Sequence, residues 1–205
     1  MGLYARYILP KLIDVACGAG GFRWQRKQIM PWVRGEVLEV GIGSALNAPH
    51  YPDGLVRVTG LEPDAGMLSL AEERLEECRV PVDIVQGSAE MIPLPDASVD
   101  SVLMTFSLCT IPDPIQALSE MRRVLRPEGR LVFAEHGVAP DPGVARLQGL
   151  LNGSWQVVGG GCHLTRDPVS LLERAGFQPC AVDSSYARKT PRPFGYISRG
   201  FAEKD

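Results

Sequence analysis

The residues best suited to chemistry stand at the end of an apolar run, in the stretch VLEVGIGSALN. Glu39 is followed by Gly41 and Gly43, and glycines at such a turn let the backbone approach a ligand closely. A dinucleotide fingerprint needs a third glycine at position 46, which holds leucine. The pattern acid-x-Gly-x-Gly-x-Gly fits instead, with Ala45 as one conservative departure. It predicts a loop against which a zwitterionic amino-acid tail lies, although a tight turn without a ligand also accommodates two glycines.

A second acid supports the ligand interpretation. Glu62 ends the next apolar run, about 20 residues further on, where a carboxylate accepts hydrogen bonds from the two ribose hydroxyls of a bound nucleotide. Such an acid suits any ribose without a 2′-phosphate, so it does not separate NAD from other adenosine ligands. Because the third glycine is missing, the sequence favours an NAD-dependent oxidoreductase much less than other adenosine-binding enzymes.

Composition narrows the class of protein. The 205 residues are sufficient for one domain with a sizeable core, and 45% hydrophobic and 22% charged residues are ordinary for a globular protein. A net charge of −3 provides no long-range attraction to nucleic acid. The N-terminal segment is apolar in character, but Arg6, Lys11 and Asp14 interrupt it. We therefore expect neither a signal peptide nor stable membrane insertion.

The five cysteines form no CxxC pair. Their number and spacing argue against a disulfide framework and against a structural zinc site, so the sequence predicts no metal. Cys109 and Cys162 are interpreted as small packing residues. Reduced thiols predict a cytoplasmic location.

Short β-rich runs alternate with helical patterns from residue 36 onward. This alternation predicts an α/β fold with a doubly wound, mostly parallel, seven-stranded sheet. The last two strands are expected to form an antiparallel edge hairpin. Predicted strands cover residues 36–42, 56–62, 82–87, 98–108, 129–136, 180–187 and 193–204, and predicted helices cover 64–78, 113–125 and 168–177.

We predict a single domain over residues 1–205, with no linker long enough to divide it. Within this domain, the ligand is expected outside the carboxyl ends of the strands, where irregular segments can cover it. The predicted parts are an N-terminal cover (1–35), a cofactor-binding core (36–136), a substrate-side insertion (137–170) and a C-terminal helix with edge strands (171–205).

Five motifs, which occur in order in four stretches of the core, resemble those of a known family. VLEVGIGSALN, GLEPDAGML, QGSAEMIPLPDASVDSVLMTFSL and EMRRVLRPEGRLVFAEH resemble the successive motifs of class I S-adenosylmethionine-dependent methyltransferases, in particular the methyltransferase type 11 branch. The resemblance implies a Rossmann-like methyltransferase fold and S-adenosylmethionine as methyl donor, with S-adenosylhomocysteine as product. The positions implied to hold the donor are Glu39, Gly41, Gly43 and Asn47 for the methionine moiety, Glu62 for the ribose, Pro63 and Met67 for the adenine face, Ser88, Ala89 and Glu90 for the adenine edge, and Thr105 near the reactive methyl group.

The outer segments carry the acceptor information. SLCTIPDP, FAEHGVAP, GCHLTRD and RPFGYI are similar to the alkyl-thiol methyltransferases of the methyltransferase-like seven group. A thiol is already partly thiolate at neutral pH, so proximity and alignment could supply most of the acceleration and no general base is assigned. His136, His163 and Arg166 are the substrate-binding candidates. Their structural alternatives are a sheet-edge cap, a loop hydrogen bond and an ion pair with Asp167, respectively.

The sequence thus predicts a methyltransferase acting on a small, fairly apolar acceptor, with a thiol as the leading candidate. An oxygen, nitrogen or carbon acceptor such as a quinone precursor, polyketide or phospholipid headgroup remains open. So does a non-catalytic scaffold that binds S-adenosylmethionine. The expected partner is the small-molecule acceptor, with no nucleic acid, and the chain is expected to be a monomer or homodimer.

Overall fold

The computed structural model describes residues 4–205, except for the side chains of residues 5 and 6. The first three residues of the predicted cover therefore lie outside the described residues. Seven strands form one sheet in the order β3-β2-β1-β4-β5-β7-β6. The strands are β1 (Glu36–Val40), β2 (Arg57–Glu62), β3 (Val82–Gln86), β4 (Val99–Thr105), β5 (Leu125–His136), β6 (Phe177–Tyr186) and β7 (Tyr196–Lys204).

The predicted fold class is confirmed. Strands β1 to β5 pair in parallel, while β7 runs antiparallel between β5 and the edge strand β6. The order of the strands reverses between β1 and β4, which is the position where open α/β sheets bind ligands at their carboxyl ends. The predicted division of the chain into one domain of four parts stays a prediction.

Helices cover both faces of the sheet because its central strands are apolar on both sides. Leu131 and Phe133 of β5 pack into one hydrophobic cluster, and the alternating Val132 and Ala134 pack into the other. The α-helices are α1 (Leu9–Gly18), α2 (Gly20–Ile29), α3 (Ala65–Leu68), α4 (Glu72–Glu76), α5 (Pro114–Val124), α6 (Pro142–Val158), α7 (Pro168–Arg174) and α8 (Arg192–Gly195).

Two predicted helices show how local chemistry sets boundaries. Helix α5 begins as expected, because the Asp113 carboxylate accepts the amide of Gln116 at 3.0 Å and Pro114 occupies the first position. The single helix predicted over 64–78 is wrong. It is divided into α3 and α4, since the amides of Leu70 and Ala71 bond to carbonyls only three residues back.

Other predicted boundaries also need correction. Strand β4 was expected to reach residue 108, but it ends at Thr105 because Phe106 turns the chain with a positive φ of 55°. Strand β5 begins at Leu125 rather than 129, since the residue before Pro127 avoids helical geometry. The predicted insertion contains a 17-residue helix, α6, that the sequence pattern did not indicate.

Candidate functional site

A cavity of about 600 Å³ opens at the carboxyl ends of β1, β2 and β4, where the strand order reverses. The structure brings together around it all of the residues predicted for the donor site. These are Glu39, Gly41, Gly43, Asn47, Glu62, Pro63, Met67, Ser88, Ala89, Glu90 and Thr105. Their individual roles in binding remain proposals.

The glycine loop after β1 needs glycine at two positions. Gly41 and Gly43 have φ values of 69° and 56°, in the left-handed region that side chains rarely adopt. A Cβ on Gly41 would also lie 2.8 Å from the Cβ of Ser107. Ala45, at the third position of the pattern, has a φ of 57°, which explains why this pattern usually carries a third glycine.

Glu39 lies in the wall of this cavity and is hydrogen-bonded to two neighbouring side chains. Its carboxylate, which is 1% exposed, accepts the Asn47 Nδ2 amide at 3.0 Å and the hydroxyl of Tyr51. Burial raises the pKa of Glu39 from 4.5 to about 7, despite the opposing effect of these two hydrogen bonds. Glu39 therefore orients Asn47 and Tyr51, and Tyr51 is a residue that sequence reasoning missed.

Asn47 connects the loop to β4. Its Nδ2 group also donates to Thr105 Oγ1 at 2.9 Å. Its Oδ1 atom is buried and has no hydrogen-bond partner within residues 4–205. An acceptor left unsatisfied in a cavity wall is costly unless a ligand donates to it. The α-ammonium group of S-adenosylmethionine is such a donor, so the wall fits the predicted methyl donor.

Glu62 and Pro63 form a corner after β2. The Glu62 carboxylate accepts the Gly43 and Asp64 amides, each at 3.0 Å, and burial raises its pKa. Each carboxylate oxygen retains acceptor capacity for a ribose hydroxyl. The side chain of Met67 lies against Gly43, since a Cβ on that glycine would come within 3.1 Å of the Met67 Cε atom.

Ser88 and Glu90 line the cavity from the segment that follows β3. The Ser88 hydroxyl donates to the Glu90 carboxylate, and the other Glu90 oxygen accepts the Asp113 amide at 3.3 Å. Glu90 is thus anchored to the start of α5.

The N-terminal cover contributes Arg26, which the sequence analysis missed. Its side chain lies over the Phe106 ring, 4.8 Å from the centroid, and its Nη1 donates to the Cys17 carbonyl at 2.6 Å. Arg26 is 4% exposed, and its Nε has no partner among the residues described. It is the one cationic side chain among the described residues lining the cavity. Its position four residues after Phe22 and three before Ile29 was the available signal, because that spacing places it on the apolar face of α2.

The substrate candidates lie elsewhere. His136, His163 and Arg166 are not among the described residues that line this cavity. Arg166 donates to the carbonyls of Leu108 and Ile111 at 2.5 and 2.7 Å, so it holds the loop after β4. The Nδ1 atom of the His163 ring is hydrogen-bonded to the side-chain amide nitrogen, Nε2, of Gln156, at 3.1 Å. The role of these three residues as substrate-binding candidates stays a prediction.

Comparison with known proteins places the chain. The sequence profile described as "Methyltransferase domain" (Methyltransf_11) matches residues 38–133. A solved SAM-dependent methyltransferase from Aquifex aeolicus superposes with a TM-score of 0.64 at 19% identity, covering 94% of this chain and 97% of that one. The superposition shows that the chain has the fold of this methyltransferase.

Curated relatives refine the class. Thiol S-methyltransferase TMT1B of Rattus norvegicus is 35% identical over 171 residues, which cover 80% of this chain and 66% of that protein. Thiol S-methyltransferase TMT1A of Homo sapiens is 34% identical, over 78% of this chain and 69% of that protein. The chain belongs to the same family as these thiol S-methyltransferases, and it spans about two thirds of their length.

Other methyltransferases match a shorter region. Phosphatidylethanolamine N-methyltransferase of Cereibacter sphaeroides is 38% identical over 104 residues, which cover 50% of this chain and 51% of that protein.

Within residues 4–205, no helix combines the length and the apolar character needed to cross a bilayer.

Proposed function

We propose that this protein transfers the methyl group of S-adenosylmethionine to the sulfur of a small, apolar thiol. The observation that carries the proposal is the extent of the similarity. Thiol S-methyltransferases match over 80% of the chain, well beyond the core at residues 38–133, whereas the phospholipid enzyme matches over 50%. Because the outer segments cover the strand ends, similarity there bears on the acceptor more than similarity in the core does.

The proposed donor site uses both the core and the cover. Asn47 Oδ1 accepts from the α-ammonium group, the glycine loop lies along the methionine half, and Glu62 accepts from the ribose. Pro63 and Met67 pack on the adenine, whose edge meets Ser88, Ala89 and Glu90. Arg26 pairs with the carboxylate of the methionine half of the donor. A buried guanidinium that has no acidic side chain as partner favours a permanently charged anion.

The chemistry makes modest demands on the remaining residues. When bound, S-adenosylmethionine would supply a methyl group on a sulfonium, and a nucleophile that attacks the methyl carbon would release S-adenosylhomocysteine as the leaving group. The acceptor thiol loses its proton to solvent, since a pKa near 8.5 already leaves a few per cent as thiolate at neutral pH. Thr105 and Phe106 border the place where the acceptor must approach, so their contribution is alignment.

The cavity contains a cysteine of its own. Cys17 lines the wall, and burial raises the pKa of its thiol to about 11, although Arg26 opposes this shift. Cys17 therefore stays protonated at neutral pH and does not compete with an acceptor thiolate.

A cytoplasmic location stays a prediction that rests on the unpaired cysteines of the sequence.

The test is a matched pair of acceptors. Purified protein is incubated with S-adenosylmethionine and either an alkanethiol or the alkanol of the same chain length, and the product is identified by mass spectrometry. We expect the methyl thioether from the thiol and no ether from the alkanol. Separate incubations contain an amine or a quinone precursor, and methylation of either one without methylation of the thiol would retain the methyltransferase class and discard the thiol. Binding of S-adenosylhomocysteine with no turnover on any acceptor class would favour the scaffold alternative.

A further inference from the structure

Three side chains that ligate metals converge outside the donor cavity. Cys109, His136 and Cys162 each offer one ligand atom, and these atoms all lie within 4.8 Å of one another. They come from three separate places in the chain: the turn after β4, the last residue of β5 and the turn after α6. None of the three is among the described residues that line the cavity.

The backbone around the cluster is fixed by hydrogen bonds. The Glu135 carboxylate accepts the amides of Ser107 and Leu108 at 3.0 and 3.1 Å, which holds the turn carrying Cys109 against the end of β5. The amide of His163 donates to the Cys109 carbonyl at 2.8 Å, which joins the two cysteine-bearing turns. The ligand atoms are therefore positioned by a preformed framework.

His136 is the feature that packing does not explain. Its side chain is buried, at 6% exposed, and in the described part of the chain neither Nδ1 nor Nε2 has a hydrogen-bond partner. Burying an imidazole without partners costs free energy, and buried polar groups in folded proteins almost always have one. Two sulfur atoms lie beside these nitrogens, so a metal ion would satisfy the imidazole and both thiols together.

We propose that Cys109, His136 and Cys162 form a zinc(II) site. Thiolate and imidazole are the ligands that zinc prefers, with Zn–S distances of about 2.3 Å and Zn–N distances of about 2.0 Å. In such a tetrahedron the nitrogen and the two sulfur atoms lie roughly 3.5–3.8 Å apart, so small inward movements of the side chains close the site. Two thiols each release a proton to solvent and neutral His136 donates its lone pair.

A set of three protein ligands leaves the fourth position for water or another small ligand, as in open zinc sites. This inference departs from the sequence-based expectation of no metal. The three ligands are too far apart in sequence to form a recognisable motif, and only the strand order brings them together.

The test uses cobalt(II) as a spectroscopic substitute for zinc. Full-length protein, reduced and treated with a chelator, is titrated with cobalt(II) alone. We expect a thiolate-to-cobalt charge-transfer band in the near ultraviolet, saturating at one ion per chain and abolished by added zinc. C109S, C162S and H136Q should each weaken cobalt binding at least tenfold. C78S and C180S, which change cysteines outside the cluster, are the matched controls and should bind cobalt as the wild type does.

A second measurement on the wild-type chain avoids the folding of variants. Zinc should slow the alkylation of Cys109 and Cys162 by iodoacetamide, read by mass spectrometry, and should leave Cys180 unaffected. The proposal is overturned if no thiolate band forms, if the band survives in C109S and C162S, or if zinc protects neither cysteine. No readout depends on methyl transfer.

Discussion

The proposed donor-binding edge of the sheet and the predicted N-terminal cover are built in different ways. The edge is formed by residues that directly follow the strands, such as Gly41 after β1, Glu62 at the end of β2 and Thr105 at the end of β4. The cover places Arg26 in the same cavity from a helix that precedes the sheet. Strand-end residues share one edge because parallel strands end together, whereas a cover residue reaches the site only through helix packing.

We expect the largest effect from a substitution at Gly41, in the glycine loop of the edge. In Gly41→Ala, a φ of 69° and a Cβ only 2.8 Å from that of Ser107 should cost about 2–4 kcal/mol of stability and abolish donor binding. The measurement is denaturant unfolding with S-adenosylhomocysteine titration. Gly20→Ala, where no atom lies within 4 Å of the added Cβ, is the control and should change stability by no more than about 0.5 kcal/mol.

The next largest effect tests the cover. Arg26→Gln should weaken S-adenosylhomocysteine binding by about 1.5–3 kcal/mol, because it removes a charge-assisted hydrogen bond to the carboxylate of the methionine half. Arg26→Lys retains the charge and should recover part of the affinity. Calorimetric titration measures both. If the dissociation constant stayed unchanged while kcat/KM for the thiol fell, Arg26 would act on the acceptor instead.

Glu62 tests the edge in the same assay. Glu62→Ala should weaken S-adenosylhomocysteine binding by about 1–3 kcal/mol, since it leaves the ribose hydroxyls and the Gly43 amide without an acceptor. Glu62→Gln retains one acceptor oxygen and should lose less. An unchanged affinity in Glu62→Ala would remove this residue from the donor site.

The smallest effect concerns the buried acid of the glycine loop. The pKa of Glu39 is about 7 in the folded chain against 4.5 in the unfolded chain, so between these values the folded state binds the proton more tightly. The Glu39 contribution to stability therefore falls as pH rises from about 5 to about 7. Glu39→Gln, which cannot ionise, should gain stability relative to the wild type over this range, on the order of 1–2 kcal/mol.

Melting temperatures of both proteins without ligand, measured between pH 5 and pH 8, test this expectation. The Tyr51 hydroxyl can reverse to accept from the new amide, so the hydrogen bonds of the site are retained in the variant. A difference in melting temperature that did not change with pH would show that Glu39 is ionised throughout.

The sequence predicted the edge much better than the cover. Apolar runs ending in Gly41, Glu62 and Thr105 are local signals, and the alternation of strands and helices determines where they meet. The 17-residue helix α6 lay in a segment rich in glycine and proline, which obscured its period. The loop positions of GCHLTRD could not be predicted in detail, since His163 and Arg166 bond to residues outside this segment through contacts that depend on the fold.

Contacts between residues that are distant in the sequence could not be predicted. The approach of Cys109, His136 and Cys162 depends on which strands neighbour each other and on how the turn after α6 folds back, and no spacing within the chain encodes that. Arg26 is an intermediate case. Its helical spacing from Phe22 gave a usable signal, but a charged residue in a basic run is ordinarily interpreted as solvent-exposed.

The central claim is that the outer segments select a thiol while the edge supplies a general donor site. The most direct measurement is the rate of S-adenosylhomocysteine release when the protein and S-adenosylmethionine meet a panel of alkanethiols, phenols, amines and a quinone precursor. The account predicts turnover confined to the thiols, increasing with the apolar character of the alkyl chain. Turnover on the quinone precursor or the amines, with none on the thiols, would contradict it.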